Sequence, residues 1–254
     1  MSVTLVHPRP KFAPAHLTEP PPSGYIHIAA AVEPPPGGIG RPGHSRGKTH
    51  LLDLLRAEAE DLASLGEVKR ASVYRAVAVA PTVGRHPSDV VHPARYDVVV
   101  LVETRTPQDI EQVQDTLAYR HLRRRLEHAA GDVHVMTARC GKCVADVGRS
   151  QQGLFQFSYF VSEDPELTAE LWEHLAGWYA AETGLDNSLL LQPLDGTTSD
   201  YCFVGHAHWN LSLPAVALRQ FTKPSFYRFL QPTLKENRTT VMPVLYHLVR
   251  LRDR

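Results

Sequence analysis

Residues 95–103 read RYDVVVLVE, and residues 200–208 read DYCFVGHAH; these two stretches decide how the chain folds. Each is a strand-length run dominated by apolar residues, which predicts a strand buried in a sheet. Both carry a tyrosine near their start. A second pair of stretches matches in the same way, because SGYIHI at residues 23–28 resembles QGLFQF at 152–157. Matching segments that recur in the same order predict an internal duplication.

Each copy has the element order β-α-β-β-α-β, which is the split unit of ferredoxin-like folds. In the first copy, Thr106 and Pro107 predict the start of the second helix, as an N-cap followed by proline. The predicted strands and helices of this copy are 25–32, 48–65 (helix), 68–80, 96–103, 106–130 (helix) and 133–139. In the second copy the remaining predicted elements are 165–183 (helix), 189–193, 214–234 (a helix interrupted by Pro224) and 241–249. Residues 86–94 are predicted to be a loop.

The chain is therefore divided into three segments. Residues 1–23, with six prolines, predict an extended arm or tail; residues 24–148 form the first ferredoxin-like repeat and residues 149–254 the second. A ferredoxin-like half covers one sheet face with helices and leaves the other face bare. Two halves can bury their bare faces against each other. The predicted fold is thus α+β, with tandem ferredoxin-like repeats forming an intramolecular pseudo-dimeric α/β barrel whose interior is the natural pocket.

Composition narrows the possible partners. The 254 residues include 27 Lys+Arg and 27 Asp+Glu, and this balance argues against nucleic acid, which requires an excess of cationic side chains. No apolar run approaches the roughly 20 residues of a membrane span. Three cysteines are too few for a disulfide framework, which favours the cytoplasm. We expect a monomer or a homodimer that binds a small molecule.

Histidines are the most suggestive candidates for chemistry, and there are 14 of them. His206 and His208 are two residues apart on a predicted strand, so both side chains point to one face. In the duplication, Glu103 is the counterpart of His208, and a carboxylate opposite an imidazole suits general acid–base catalysis. The alternatives are a divalent metal site, for which the sequence shows no third ligand, and histidines without a chemical role.

Further candidates lie on the first and last strands of each copy. His27 shares a face with Tyr25 and is aligned with Gln156, so both are predicted to line the barrel interior. His134 and Tyr246 are placed on the interior face of the last strands, where a tyrosine hydroxyl could donate to an enolate. The alternative for each is ordinary packing. Cys140 and Cys143 are predicted to be exposed thiols in the linker between the copies.

One segment of the second copy resembles a known family. The residues YCFVGHAHWN at 201–210, followed by Gln220 and by KPSFYRFL at 223–230, are similar to the dimeric α/β-barrel superfamily, in particular its antibiotic-biosynthesis-monooxygenase-like branch. In that branch a strand ending in an aromatic residue precedes a helix with a His and then Ser-Pro-x-Phe. Here Gln220 stands where the family usually has His, and Lys223-Pro224 replaces Ser-Pro.

The resemblance implies a small-molecule enzyme of secondary metabolism. It points to a cofactor-independent oxygenase or cyclase acting on an aromatic or polyketide-like substrate, with His or Glu taking a proton in the barrel interior. It also implies that Trp209 and Asn210 orient a flat oxygenated ligand, although Trp209 could instead anchor the core and Asn210 cap the next helix. Haem- or metal-dependent enzymes with a His ligand and non-enzymatic binding proteins are the alternatives.

Overall fold

The computed structural model describes residues 2–84, 93–147 and 152–250. Strands and helices alternate along these residues, and the same order of elements occurs twice. The elements of the first half are β1 (Gly24–Ala31), α1 (Arg46–Ala63), β2 (Val68–Val79), β3 (Val83–Gly84), β4 (Val98–Thr104), α2 (Asp109–Gln114), α3 (Leu117–Ala129) and β5 (Asp132–Ala145). Those of the second half are β6 (Leu154–Val161), α4 (Pro165–Thr183), β7 (Ser188–Pro193), β8 (Phe203–Trp209), α5 (Leu213–Phe221), a π-helix (Phe226–Leu230), α6 (Gln231–Glu236) and β9 (Thr240–Leu248).

Local sequence signals account for the helix ends. Ser45 caps α1 by accepting a hydrogen bond from the backbone N–H of Lys48 at 3.0 Å. Asp164 caps α4 in the same way, and Pro165 occupies the first helical position. The helix α4 ends at Gly184, whose φ of 76° is the left-handed conformation that glycine adopts without a Cβ penalty.

The strands form one closed antiparallel barrel. Its eight long strands follow the order β2-β4-β1-β5-β7-β8-β6-β9, and β9 pairs back with β2, while the short β3 lies against β9. Within each half the four strands have the same relative order, that of a ferredoxin-like sheet. The pairs β5–β7 and β2–β9 join the halves. The predicted fold class, α+β with two ferredoxin-like halves sharing a barrel, is confirmed.

The two faces of the sheet bury different side chains. The inward face forms one cluster rich in aromatic residues, which includes Tyr25, Tyr74, Phe155, Phe157, Tyr159 and Tyr246. The outward face packs against helices in each half separately. Among the described residues, the barrel interior, predicted to be the natural pocket, is lined by closely packed aromatic and aliphatic side chains.

Two elements differ from the sequence prediction. The helix predicted over 106–130 is broken, because Thr116 caps a new helix by accepting from the N–H of Tyr119 at 3.2 Å. Thr106, predicted to be an N-cap, instead donates its hydroxyl to Asp109 at 2.7 Å. Strand β5 continues past residue 139 to Ala145, so Cys140 and Cys143 are buried within the sheet and the prediction of exposed linker thiols was wrong.

The N-terminal arm lies along the second half. The N–H of Thr4 donates to Asn237 and the N–H of Ala15 donates to the carbonyl of Glu173, both at 2.9 Å. The arm presses so closely on α4 that a Cβ at Gly177 would lie 1.9 Å from the carbonyl oxygen of Ala13. Among the described residues, no helix has the length and apolar character needed to cross a membrane. The repeat boundary predicted at 148/149 and most of the predicted loop 86–94 fall outside the described residues.

Candidate functional site

Six of the predicted site residues lie on the inward face of the sheet: His27, His134, His206 and Tyr246 within the barrel, and Glu103 and His208 toward its end. The ring of His206 stacks on Phe157, with centroids 4.4 Å apart and an interplanar angle of 4°. It is 1% exposed, and neither of its ring nitrogens has a hydrogen-bond partner among the described residues. Burial, together with the nearby Arg70 and His27, holds the pKa of His206 well below its usual value. This imidazole is therefore neutral at physiological pH.

The other two interior histidines are neutral for the same reason. Burial, reinforced by His134, lowers the pKa of His27 to about 3, and burial also lowers the pKa of His134. His27 Nε2 lies 3.5 Å from the hydroxyl of Tyr159, and His134 Nε2 lies 3.1 Å from the hydroxyl of Ser199. The Tyr246 hydroxyl donates to the carbonyl of Tyr96 at 2.7 Å. The structure brings these residues together, but the surrounding rings leave them in a packed environment.

Glu103 does not pair with a histidine. It is buried at one end of the barrel, where its oxygens accept hydrogen bonds from Ser23 at 2.9 Å, Lys69 at 2.8 Å and Arg70 at 2.5 Å. Burial opposes its ionisation, but Arg70, Lys69 and Ser23 outweigh this effect and hold the pKa of Glu103 below its usual value. The His208 side chain instead donates from Nε2 to the carbonyl of Gln152 at 2.5 Å. The predicted Glu103–His208 acid–base pair is therefore wrong.

Three predicted residues meet at the end of β8. His208, Trp209 and Asn210 line a surface cleft of about 480 Å³ together with Asp146, Asp186, Asn187 and Arg219. Trp209 points to the helix side of the sheet, where its indole donates to Thr183 at 3.0 Å. Asn210 is exposed. The N-cap residue of α5 is Ser212, so Asn210 does not cap this helix.

Gln156 lies on the opposite face of the sheet from the one predicted. The register aligns Tyr25 with Phe155, because they pair with the equivalent residues Glu103 and His208. The sequence similarity instead aligned His27 with Gln156, which shifts β1 relative to β6 by one residue. A shift of one residue reverses every side chain in a strand, so Gln156 points away from the barrel interior and toward α4.

This outward face of the second half carries a cavity, called here the second-half pocket. It lies between β6–β9 and the helices α4 and α6, and its free space is about 50 Å³. The lining residues are Val83, Gln156, Ser158, Phe160, Trp172, Leu175, Ala176, Tyr179, Leu185, Ser188, Gly205, Ala207, Trp209, Leu230, Leu234, Val241 and Pro243. Because none of them carries a charge at neutral pH, the pocket suits an uncharged ligand.

The first half shows why this cavity exists. There the equivalent cross-strand pairs are Ile26 with Val102 and Ile28 with Val100, which pack against α1 and α3. In the second half the corresponding pairs are Gln156 with Ala207 and Ser158 with Gly205. Bulky apolar side chains are thus replaced by small or polar ones at matched positions. The halves share one fold, so the cavity follows from the side chains and is no property of the fold itself.

The polar groups of the second-half pocket converge near Gly205. A Cβ at this position would lie 3.6 Å from Cβ of Ser158 and 3.7 Å from Nε1 of Trp172. Gln156 Nε2 donates to Ser158 Oγ at 2.7 Å, which leaves the serine hydroxyl proton free to donate onward. Burial raises the pKa of Tyr179, beside Gln156 and Gln220, to about 12, so this hydroxyl stays protonated. The bare backbone of Gly205 therefore lies near two hydrogen-bond donors, the hydroxyl of Ser158 and the indole N–H of Trp172.

Comparison with solved structures gives matches along nearly the whole chain. An anthrone oxidase-like protein is 10% identical, with a TM-score of 0.58, over 93% of this chain and 96% of that one. A proposed monooxygenase from Fusobacterium nucleatum is 7% identical, with a TM-score of 0.54, over 92% and 94% of the two chains. This chain has the dimeric α/β-barrel fold.

A proposed chlorite dismutase matches this barrel with 13% identity and a TM-score of 0.51, over 90% of this chain and 95% of that one. No protein-family model matches the chain, and no curated protein does. The dimeric α/β barrel is built here from a single polypeptide. The sequence pointed to the histidines and missed Ser158, Trp172, Tyr179 and Gly205. Small residues on a strand, such as Ser158 and Gly205, carry no motif, and aromatic residues on a helix, such as Trp172 and Tyr179, are usual in a core.

Neither the second-half pocket nor the barrel interior, as the structure describes them, fits a haem. A tetrapyrrole needs a pocket of several hundred Å³, far more than the free space in the second-half pocket. The described residues that line this pocket include no His, Cys or Met as an axial ligand, and the interior histidines are enclosed by aromatic rings. Within the described ranges, no group of three or more His, Cys, Asp or Glu residues is arranged to hold a metal ion.

Proposed function

We propose that this protein is a small-molecule oxygenase whose substrate binds in the second-half pocket. The observation that carries the proposal is the contrast between matched positions, where Ile28 and Val100 of the first half correspond to Ser158 and Gly205 of the second. Two of the structures that share the fold are named as an anthrone oxidase-like protein and a proposed monooxygenase, which supports oxygenase chemistry. The site proposed here therefore lies on the outward face of the sheet, whereas the sequence predicted it in the barrel interior.

The lining defines the substrate class. Indole, phenyl and aliphatic side chains form most of the wall, and the two donors near Gly205 suit one oxygen atom of the ligand. A flat aromatic or polyketide-like ketone has this combination of groups. The free space of about 50 Å³ is too small for such a ring system, so binding requires the helix wall to move outward. That wall includes Trp172 of α4 and Leu230, which ends the π-helix.

The donors would act on the charge that develops during the reaction. When an aromatic ketone loses a proton from the carbon activated by its carbonyl group, negative charge moves to the ketone oxygen. The hydroxyl of Ser158 and the indole N–H of Trp172 would hold this oxyanion. The described lining contains no carboxylate or imidazole, so the proton passes to water, and the substrate must itself be an acidic C–H compound. His206 cannot serve, because it lies on the opposite face of the sheet.

The carbanion then reacts with dioxygen without an organic cofactor. Electron transfer and C–O bond formation give a hydroperoxide; its O–O bond breaks as the remaining C–H proton is lost. The CH2 group becomes a carbonyl group, and the second oxygen atom leaves as water. One substrate molecule and one dioxygen molecule therefore give one ketone and one water.

Anthrone is a suitable probe of the proposal. Binding is measured by quenching of tryptophan fluorescence, since Trp172 and Trp209 both line the pocket, and turnover by dioxygen uptake with quinone formation. We expect Ser158→Ile, which installs the first-half residue, to weaken binding by at least about ten-fold. Ile28→Val alters the matched position of the first half by one methylene and should bind as the wild type does. Equal binding and turnover by wild type and Ser158→Ile would contradict the assignment.

A second substitution separates binding from catalysis. Trp172→Phe keeps an aromatic ring in the wall and removes the N–H donor, so turnover should fall by about 10²-fold while binding changes little. The absence of a proton-accepting side chain from the described lining favours one alternative, a non-enzymatic binding protein. Fluorescence quenching by anthrone without protein-dependent dioxygen uptake would support that alternative and exclude the oxygenase.

A further inference from the structure

A further cavity, separate from the second-half pocket and from the cleft at the end of β8, lies between the N-terminal arm and the start of the π-helix. We call it the arm cleft. Its volume is about 600 Å³, and it is lined by His7, Pro8, Arg9, Phe12, Glu182, Lys223, Pro224, Ser225, Arg228 and Phe229. None of these residues lines the second-half pocket. The two cavities are therefore separate candidates for ligand binding.

The arm side of the cleft is a fixed wall. Asn237 exchanges two hydrogen bonds with the backbone of Thr4, at 2.9 and 2.7 Å, and the N–H of Val6 donates to Thr233 at 3.0 Å. Past the cleft, Phe12 is buried with its ring centroid 5.0 Å from that of Phe229. Contacts on both sides of residues 7–11 thus hold this stretch of the arm against the second half.

The only carboxylate among the described lining residues is already neutralised. Glu182 has a side chain that is 6% exposed, and it accepts hydrogen bonds from Lys11 at 3.0 Å and Ser225 at 3.1 Å. Lys223 lies 3.4 Å from its other oxygen. Burial opposes the ionisation of Glu182, but these partners hold its pKa below the usual value. The charge of Glu182 therefore does not compensate any other cation of the cleft.

Two arginines are left without an acidic partner. Arg9, on the arm, and Arg228, on the π-helix, are exposed and form no ion pair or side-chain hydrogen bond within the described part of the chain. The cleft therefore has a local excess of positive charge in a protein whose formal net charge is zero. Two residues before Arg9, His7 has a φ of 50°, a left-handed conformation that is uncommon for a residue with a Cβ.

We propose that the arm cleft binds a small organic anion, a carboxylate or a phosphate ester, between Arg9 and Arg228. A guanidinium presents paired N–H donors that match the oxygens of either group. Two guanidinium groups on opposite walls would hold the anion from both sides. Lys223 and Ser225, which also line the cleft, are engaged by Glu182. The inference is independent of the proposed oxygenase function, because it uses different residues.

The test uses three probes: inorganic phosphate, phenyl phosphate and benzoate. Binding to the full chain is measured by isothermal titration calorimetry at low ionic strength. We expect the wild type to bind at least one probe and the double variant Arg9→Gln/Arg228→Gln to bind it at least about ten-fold more weakly. Comparison of phenyl phosphate with benzoate shows which anion is preferred, and phosphate alone shows whether the ring contributes.

A matched control accounts for the change in net charge. Arg41→Gln/Arg46→Gln removes the same two positive charges from exposed arginines that have no ion pair among the described residues, and it should leave the affinity unchanged. Far-UV circular dichroism and melting curves establish that each variant is folded. Failure of the wild type to bind any probe would overturn the proposal, and so would equal affinities of wild type and double variant. Ser158→Ile should bind these anions normally, which separates this result from the test of the oxygenase function.

Discussion

At the scale of single residues, the most informative position is Gly205. Its counterpart in the first half is Val100, and both lie on the outward face of equivalent strands. A Cβ at Gly205 would lie 3.2 Å from the ring of Phe160, which is tighter than ordinary van der Waals contact. Whether the pocket stays open therefore depends on the absence of one side chain.

Gly205→Val should close the second-half pocket. The added side chain fills the recess and pushes against Phe160, and overpacking of this kind destabilises a protein by about 1–3 kcal/mol. We expect a folded protein with a lower urea midpoint and no detectable quenching by anthrone. Val100→Ala, at the matched position, should also lower stability, through a lost contact, but should retain binding. Undiminished binding by Gly205→Val would place the ligand elsewhere.

His206 makes a testable contribution to stability. Its ring nitrogens are buried without described partners, and burying an unpaired polar group is unfavourable by about 1–3 kcal/mol. The depressed pKa of this histidine means that the unfolded state binds an additional proton. Stability is therefore fully present at pH values above the ordinary histidine pKa and is lost as pH falls toward the depressed one.

His206→Leu should consequently raise the free energy of unfolding at neutral pH and reduce its loss on acidification. Urea unfolding measured between pH 7 and pH 5 gives both quantities. The wild type should lose stability across this range, because His27 and His134 also have lowered pKa values. His128→Leu, at an exposed position, serves as the control. A destabilised His206→Leu would mean that the imidazole has a partner such as an internal water.

At the scale of elements, strand β5 shows where the sequence pattern fails. Residues 140–143, CGKC, interrupt the alternation that predicts a strand, so its end was predicted at residue 139. The strand instead continues, with register shifts between Cys140 and Lys142 and between Cys143 and Ala145. An irregularity of this kind accommodates an extra residue and turns both cysteines toward the interior.

The thiols should be unreactive in the folded protein. Cys140 and Cys143 are buried, and burial raises the pKa values of Cys140 and Cys202 to about 12, so little thiolate is present at neutral pH. We expect negligible reaction of the three cysteines with Ellman's reagent under native conditions and complete reaction in denaturing urea. Rapid native reaction of Cys140 or Cys143 would contradict their placement within β5.

The fold could be predicted from the sequence and the pocket could not, for a physical reason. Strands and their pairing depend on many apolar residues, so the match between residues 95–103 and 200–208 was enough to predict two similar halves. The pocket depends on the small side chain of Ser158 and on the absence of a side chain at Gly205. Neither gives a hydrophobic pattern that could be recognised in the sequence. Gln156 was placed on the wrong face because similar strand starts, Gly24 and Gly153, differ by one residue in register.

At the scale of the whole molecule, the barrel interior is shared by both halves. Residues of the first half, such as Tyr74, contact Phe155 and Phe157 of the second. Neither inward face is covered without the other. The halves should therefore unfold together, although each resembles a compact unit with its own helices.

The positions of the tryptophans allow this cooperativity to be tested. All three, Trp172, Trp178 and Trp209, belong to the second half, so their fluorescence reports that half, whereas far-UV circular dichroism reports both. We expect coincident urea transitions from the two probes, as for two-state unfolding. Separate midpoints would show that the second half unfolds independently of the first.

The joining of two halves in one chain also bears on how such a protein can evolve. When a barrel is assembled from two identical chains, each substitution appears twice, and any loss of packing is doubled. Here the β5–β7 and β2–β9 pairs unite halves encoded separately, so each half can accumulate its own mutations. The first half keeps the dense aliphatic packing that maintains the barrel, which leaves the second half free to lose packing at the second-half pocket.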